Sequence, residues 1–102
     1  MEVDDSQERQ QWAQVHVRVD GRVQGVGFRW FTRERALTLG LTGYVRNLPD
    51  GAVETVAEGP TAALDEFVSH VHHGPPMSRV LSCQASTPVP PTGEYDDFDI
   101  RH

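Results

Sequence analysis

The feature that most constrains this chain is a change of hydrophobic period across "GRVQGVGFRW", residues 21–30. Before it, Val15, Val17 and Val19 alternate with His16, Arg18 and Asp20, the period of two of a half-buried strand. After it, Phe28, Phe31, Ala36 and Leu39 recur at helical spacing, leaving Arg33, Glu34 and Arg35 for solvent and Gly40 as a stop. A strand therefore hands over to a helix through a loop with three glycines and two arginines. A plain tight turn meets that demand, and so does a nest of main-chain amides around an anion.

The remaining periodicities give the architecture. "LTGYVRNLPDGAVETVAEG" reads as a hairpin whose turn is Leu48-Pro49-Asp50-Gly51, because proline presets one turn torsion and glycine supplies a positive one. Leu64, Phe67, Val68 and Val71 then mark an amphipathic helix, with Thr61 as its expected cap and Gly74-Pro75-Pro76 as its stop. "SRVLSCQAS" reads as a strand, "TPVPPTGE" as a loop, and Phe98 and Ile100 alternate with Asp97, Asp99 and Arg101 in a short final strand. The expected fold class is α+β: a ferredoxin-like β-α-β-β-α-β sandwich, mainly antiparallel, with both helices on one face and an added C-terminal strand. Residues 1–13 are polar and acidic without periodic apolar positions and are expected to form a disordered tail, with the domain spanning 14–102.

Composition narrows the chemistry. A chain of 102 residues makes one domain with a real core and needs no metal or disulfide staple. Its net charge of −6 disfavours nucleic-acid and anionic-membrane partners, so any anion site must be local. All nine basic residues are Arg, which removes Schiff-base chemistry, a lysine base and a Walker lysine together. Cys83 is the one cysteine, which excludes an internal disulfide framework and suits a reducing compartment. The acidic N-terminus is unlike a signal peptide and no run is long enough to span a membrane. The expectation is a cytoplasmic, monomeric protein.

The glycine loop fails two phosphate motifs. It lacks the Gly-Lys-Ser/Thr of a Walker loop, and Trp30 stands where a dinucleotide fingerprint needs its third glycine. What remains is a nest at a helix start, where free N–H groups and the helix dipole favour phosphate, with Arg29 in the first turn able to grip two of its oxygens. At this point the plain turn is still an equal reading.

A second stretch, "GYVRNLPDG", tips the balance. Together with "GRVQGVGFR" it resembles the paired signature segments of the acylphosphatase family, small enzymes that hydrolyse acyl phosphates to a carboxylate and inorganic phosphate. The resemblance extends from about Val15 to Arg101 through "GP" at 59–60, "FV" at 67–68, "HGPP" at 73–76 and "FDIR" at 98–101. It implies that Gln24, Gly25, Val26, Gly27, Phe28 and Arg29 cradle the phosphoryl group, that Arg29 is the essential phosphate ligand, and that Asn47 positions the attacking water. It also implies that no metal or cofactor is used and that the substrate is a small acyl phosphate. His102 departs from the family, which often ends in Tyr.

Two other classes compete. One is a non-catalytic module binding phosphate or carbamoyl phosphate, similar to the N-terminal domain of hydrogenase-maturation carbamoyltransferases. Those proteins continue into zinc-finger and catalytic regions, so a stand-alone enzyme is the expectation here. The other, an RNA-binding sheet, wants a basic face and stacking aromatics that this chain lacks. Among single residues, Arg22 and Arg46 read as solvated strand ends and Cys83 as a structural thiol. Asp50 reads as a turn residue, and His70, His72 and His73 as helix-end residues rather than metal ligands. Trp30 and Tyr44 read either as an apolar entrance for the acyl group or as ordinary packing.

Overall fold

The computed structural model describes residues 11–102. The element order is β1 (Trp12–Arg22), α1 (Phe28–Thr38), β2 (Thr42–Asn47), β3 (Val53–Pro60), α2 (Thr61–His73), β4 (Arg79–Ala85) and β5 (Phe98–Arg101). The strands form one sheet in the order β4-β1-β3-β2-β5, antiparallel except where β5 runs parallel to β2. This is the expected ferredoxin-like arrangement with its added strand. The acidic-tail expectation falls, for residues 1–10, outside the described residues. β1 itself begins at Trp12, two residues before the domain start expected at 14 and within the expected tail, because Trp12 and Ala13 pair with Pro60 and Gly59 and Ala13 is buried.

Strand alternation decides what each sheet face does. Ala13, Val15, Val17 and Val19 of β1, Val45 of β2, Val53 and Ala57 of β3 and Phe98 of β5 form one core with Leu64, Phe67 and Val71 of α2. α1 joins that core through Phe28, Thr32 and Ala36, an i, i+4, i+8 stripe. The sequence reading put Phe31 rather than Thr32 on this face. The helix turns instead so that Phe31 sits at the margin of the stripe, edge-on to Phe28 and under the Arg35 guanidinium at 5.1 Å.

Thr61 also differs from its expected capping role. It is the first residue of α2, Pro60 holds the N-cap position, and no side chain caps the helix. The chain passes from β3 into α2 without a loop, so Thr61 stands inside the first turn rather than before it, and its own amide donates to Gln11 O at 3.0 Å.

The other sheet face is crossed by the 86–97 segment. Glu58, 2% exposed, accepts hydrogen bonds from Thr92 N, Thr92 Oγ1, Gly93 N and Gln14 Nε2, at 2.7–3.0 Å. Burial pushes its carboxyl pKa up, but those hydrogen bonds outweigh it and hold the group below the ordinary glutamate value. The segment predicted as a loop is thus fastened by one carboxylate.

Candidate active site

The site is built where β1 stops and α1 starts. Gly25 and Gly27 have φ of +75° and +80°, whereas no non-glycine residue among those described has positive φ, so the signs alternate through Gly25-Val26-Gly27. That alternation turns successive amides toward one concavity. A side chain at either glycine would meet no neighbour within 4 Å; backbone torsion, not crowding, requires glycine here. Gly27 is the N-cap of α1, with no side-chain cap and no acidic residue in the first turn. The first helical bond runs from Phe31 N to Gly27 O, which leaves the amides of residues 28–30 without an intrahelical acceptor.

Gln24 joins this loop to the second motif. Its Nε2 donates to Leu48 O and Ala52 O, both at 2.8 Å, across the β2–β3 turn. The turn closes on itself through Leu48 N to Ala52 O at 2.8 Å and Gly51 N to Leu48 O at 3.1 Å. Asp50 accepts from Ala52 N at 3.1 Å and pairs with Arg18 at 2.6 Å, which explains it as a turn residue. The Arg18 guanidinium, ahead of the Ala52 amide, holds its carboxyl below the usual range. Asn47, the last residue of β2, lies two residues beyond Val45 and shares its face toward the helices.

Loop, helix start and strand end enclose a cavity of about 220 Å³. Gly25, Gly27, Phe28, Arg29 and Asn47 line it, so five of the seven residues singled out from sequence meet there. The Phe28 side chain itself is buried in the core. Gln24 and Val26 do not line the cavity, and the Gln24 amide is committed to the turn.

Four lining residues complete it: Val23, Trp30, Ile100 and His102. Ile100 lies on the C-terminal strand and His102 directly follows it. The strand's parallel register sets Phe98 beside Gly43 and Ile100 beside Val45, which carries the chain end to the start of α1. Arg29 Nη1 there donates to His102 Nδ1 at 3.2 Å, an arrangement that leaves Nδ1 unprotonated. Only the distinction of His102 from the family's usual ending marked this position in the sequence.

The remaining candidates lie elsewhere. Arg46 pairs with Glu54 on the opposite sheet face, where Tyr44 packs against Tyr95 and beneath Arg101. Tyr44 therefore lines no entrance. Arg22 pairs with Arg79 at the end of β1 and β4. His70, His72 and His73 occupy the last turn of α2, His70 within 3.7 Å of Glu66. Among the described residues no group of three or more His, Cys, Asp or Glu is placed to hold a metal. Cys83 is partly buried on β4, and that burial raises its thiol pKa.

The acylphosphatase family model matches residues 15–100, which contain the whole loop, Arg29 and Asn47. The chain belongs to the acylphosphatase family. It is 47% identical over 87 residues to the acylphosphatase of Syntrophotalea carbinolica, covering 85% of this chain and 94% of that one. The crystal structure of the Bacillus subtilis acylphosphatase superposes with a TM-score of 0.83 at 42% identity, covering 88% of this chain and 99% of that one. Full-length HypF, in its phosphate- and nucleotide-bound form, matches with a TM-score of 0.78 at 27% identity, over 90% of this chain and 12% of HypF. Identity is thus higher to these two acylphosphatases than to the larger HypF chain.

Proposed function

We propose that this protein hydrolyses acyl phosphates to a carboxylate and inorganic phosphate, with the phosphoryl group held by the amides of the Gln24–Arg29 loop and by Arg29, and the attacking water oriented by Asn47. The observation that carries this reading is convergence: Gly25, Gly27, Arg29 and Asn47, from a loop, a helix start and a strand end, line one cavity. Gln24 takes part through its backbone and by fastening that loop to the Asn47 turn.

The chemistry suits so sparse a site. The leaving carboxylate has a conjugate acid of pKa about 4–5, so it departs without a proton donor. The phosphoryl transition state is loose, which makes charge stabilisation and in-line positioning worth more than a strong base. Main-chain amides and one guanidinium supply the stabilisation. The Asn47 side-chain oxygen accepts from the water and fixes its line of approach. Phosphate monoesters, with poor alkoxide leaving groups, should turn over far more slowly.

The test is hydrolysis of benzoyl phosphate, with chelator present, by wild type, Arg29→Ala and Asn47→Ala. Removing a positioned donor costs on the order of 3 kcal/mol, a hundredfold or more in rate. Arg29→Ala is expected to lose turnover and competitive inhibition by phosphate together, whereas Asn47→Ala loses turnover alone. Unchanged phosphate inhibition in Arg29→Ala would overturn that residue's role. A folded wild type that binds phosphate without turnover would instead favour the binding-module reading. The charge of −6 and the single cysteine support a cytoplasmic protein without nucleic-acid or membrane partners, and we place it as a monomer, which light scattering checks.

A further inference from the structure

We infer that Trp30 is the platform for the acyl group and that it sets a preference for acyl phosphates with aromatic or bulky apolar acyl parts; this rests on the acyl phosphate reading of the cavity. Trp30 is 63% exposed. The core stripe of α1 runs through Phe28, Thr32 and Ala36, and Trp30 lies two residues past Phe28, roughly 200° further round the helix. Core packing therefore does not explain the indole. It follows Arg29 directly and lines the same cavity.

The cavity has two chemically distinct parts. Gly25, Gly27, Arg29 and Asn47 supply polar groups suited to a phosphoryl end, while Trp30 from α1 and Ile100 from β5 supply apolar surface beside them. Ile100 is itself only partly buried, packed at the margin of the core. Among the described residues no Asp or Glu side chain lines the cavity. A ligand matching both parts carries an anionic phosphoryl group joined to an uncharged apolar group. The flat indole face favours an aromatic ring, which gains stacking as well as burial.

The experiment compares benzoyl phosphate with acetyl phosphate, which share the phosphoryl end and differ in the acyl part. Wild type, Trp30→Ala, Trp30→Phe and Leu37→Ala are measured for kcat and KM on both. Leu37 is exposed on the same helix and outside the cavity, so it controls for a change in the helix surface. Trp30→Ala is expected to lower the benzoyl-to-acetyl ratio of kcat/KM by about tenfold, chiefly through KM for benzoyl phosphate. Trp30→Phe should recover most of the ratio, and Leu37→Ala should leave it unchanged. An unchanged ratio in Trp30→Ala, including an equal loss on both substrates, would overturn the platform role while leaving the acyl phosphate reading intact. A folded wild type inactive on both substrates would overturn that reading and this one with it.

Discussion

The two faces of the sheet treat charge in opposite ways. On the face away from the helices, Glu58 accepts four hydrogen bonds. Glu54 there meets His16, Arg46 and Tyr44, and Arg18 holds both Asp20 and Asp50. At the helix-side end, among the described residues, Arg29 has only His102 Nδ1 for a side-chain partner and the Asn47 side chain makes no hydrogen bond. Arg29 is also cationic at the positive end of a helix dipole, where an acidic residue is the stabilising choice. Paired charge holds structure together, whereas an open charge kept at a local energetic cost is what the proposed phosphate-binding role of Arg29 requires.

The strongest way to break this contrast is to remove the open charge. Arg29→Ala should lose a hundredfold or more in turnover, read as kcat/KM on benzoyl phosphate. Its stability should not fall, because Arg29 has no ion pair among the described residues.

Removing a paired charge should do the reverse. Glu58→Ala frees the Thr92 and Gly93 donors and should cost about 3 kcal/mol, measured by urea denaturation, with the fold's remaining activity still dependent on Arg29. Protonation gives the same contrast without mutation. Because the folded Glu58 carboxyl is held below its ordinary value, its stabilisation is complete above the unfolded-state value and is lost as pH falls through the folded one. Glu58→Gln should therefore flatten the acid limb of the stability profile.

Gln24 sharpens the comparison, since it is a structural side chain within the candidate site. Gln24→Ala releases the glycine loop from the Leu48 and Ala52 carbonyls. A misplaced site of this kind should lose about tenfold to a hundredfold in kcat, with a smaller change in phosphate inhibition than Arg29→Ala shows. The smallest effect is expected from Arg29→Ala on thermal unfolding, a gain of about 0.5 kcal/mol from relief at the helix start. A clear loss there would mean that Arg29 supports the fold after all.

Local patterns were legible because their causes are local. The valine alternation of β1, the Leu64-Phe67-Val71 stripe and the Pro49-Asp50-Gly51 turn each follow from torsions or periods within a few residues. So did the glycine loop, whose positive φ angles only glycine takes readily, and the two motifs that carry the family resemblance. The Phe31–Thr32 exchange was not legible, because the helical period alone does not set how the helix is rotated on the sheet. Nor was the place of Thr61 inside the helix, which follows from β3 running on to Pro60 in its pairing with distant β1.

By itself, then, the sequence determined the order of elements, the anion-ready loop and the exclusion of lysine chemistry. Only the tertiary structure decided that Gln24 fastens that loop to the Asn47 turn, that β5 enters parallel to β2, and that Ile100 and His102 thereby reach Arg29. It also left Trp30 outside the core at the cavity's edge. The reason is physical: residue type and spacing govern torsion and period, whereas a cavity is defined by groups far apart in the chain that meet once strands pair and helices dock.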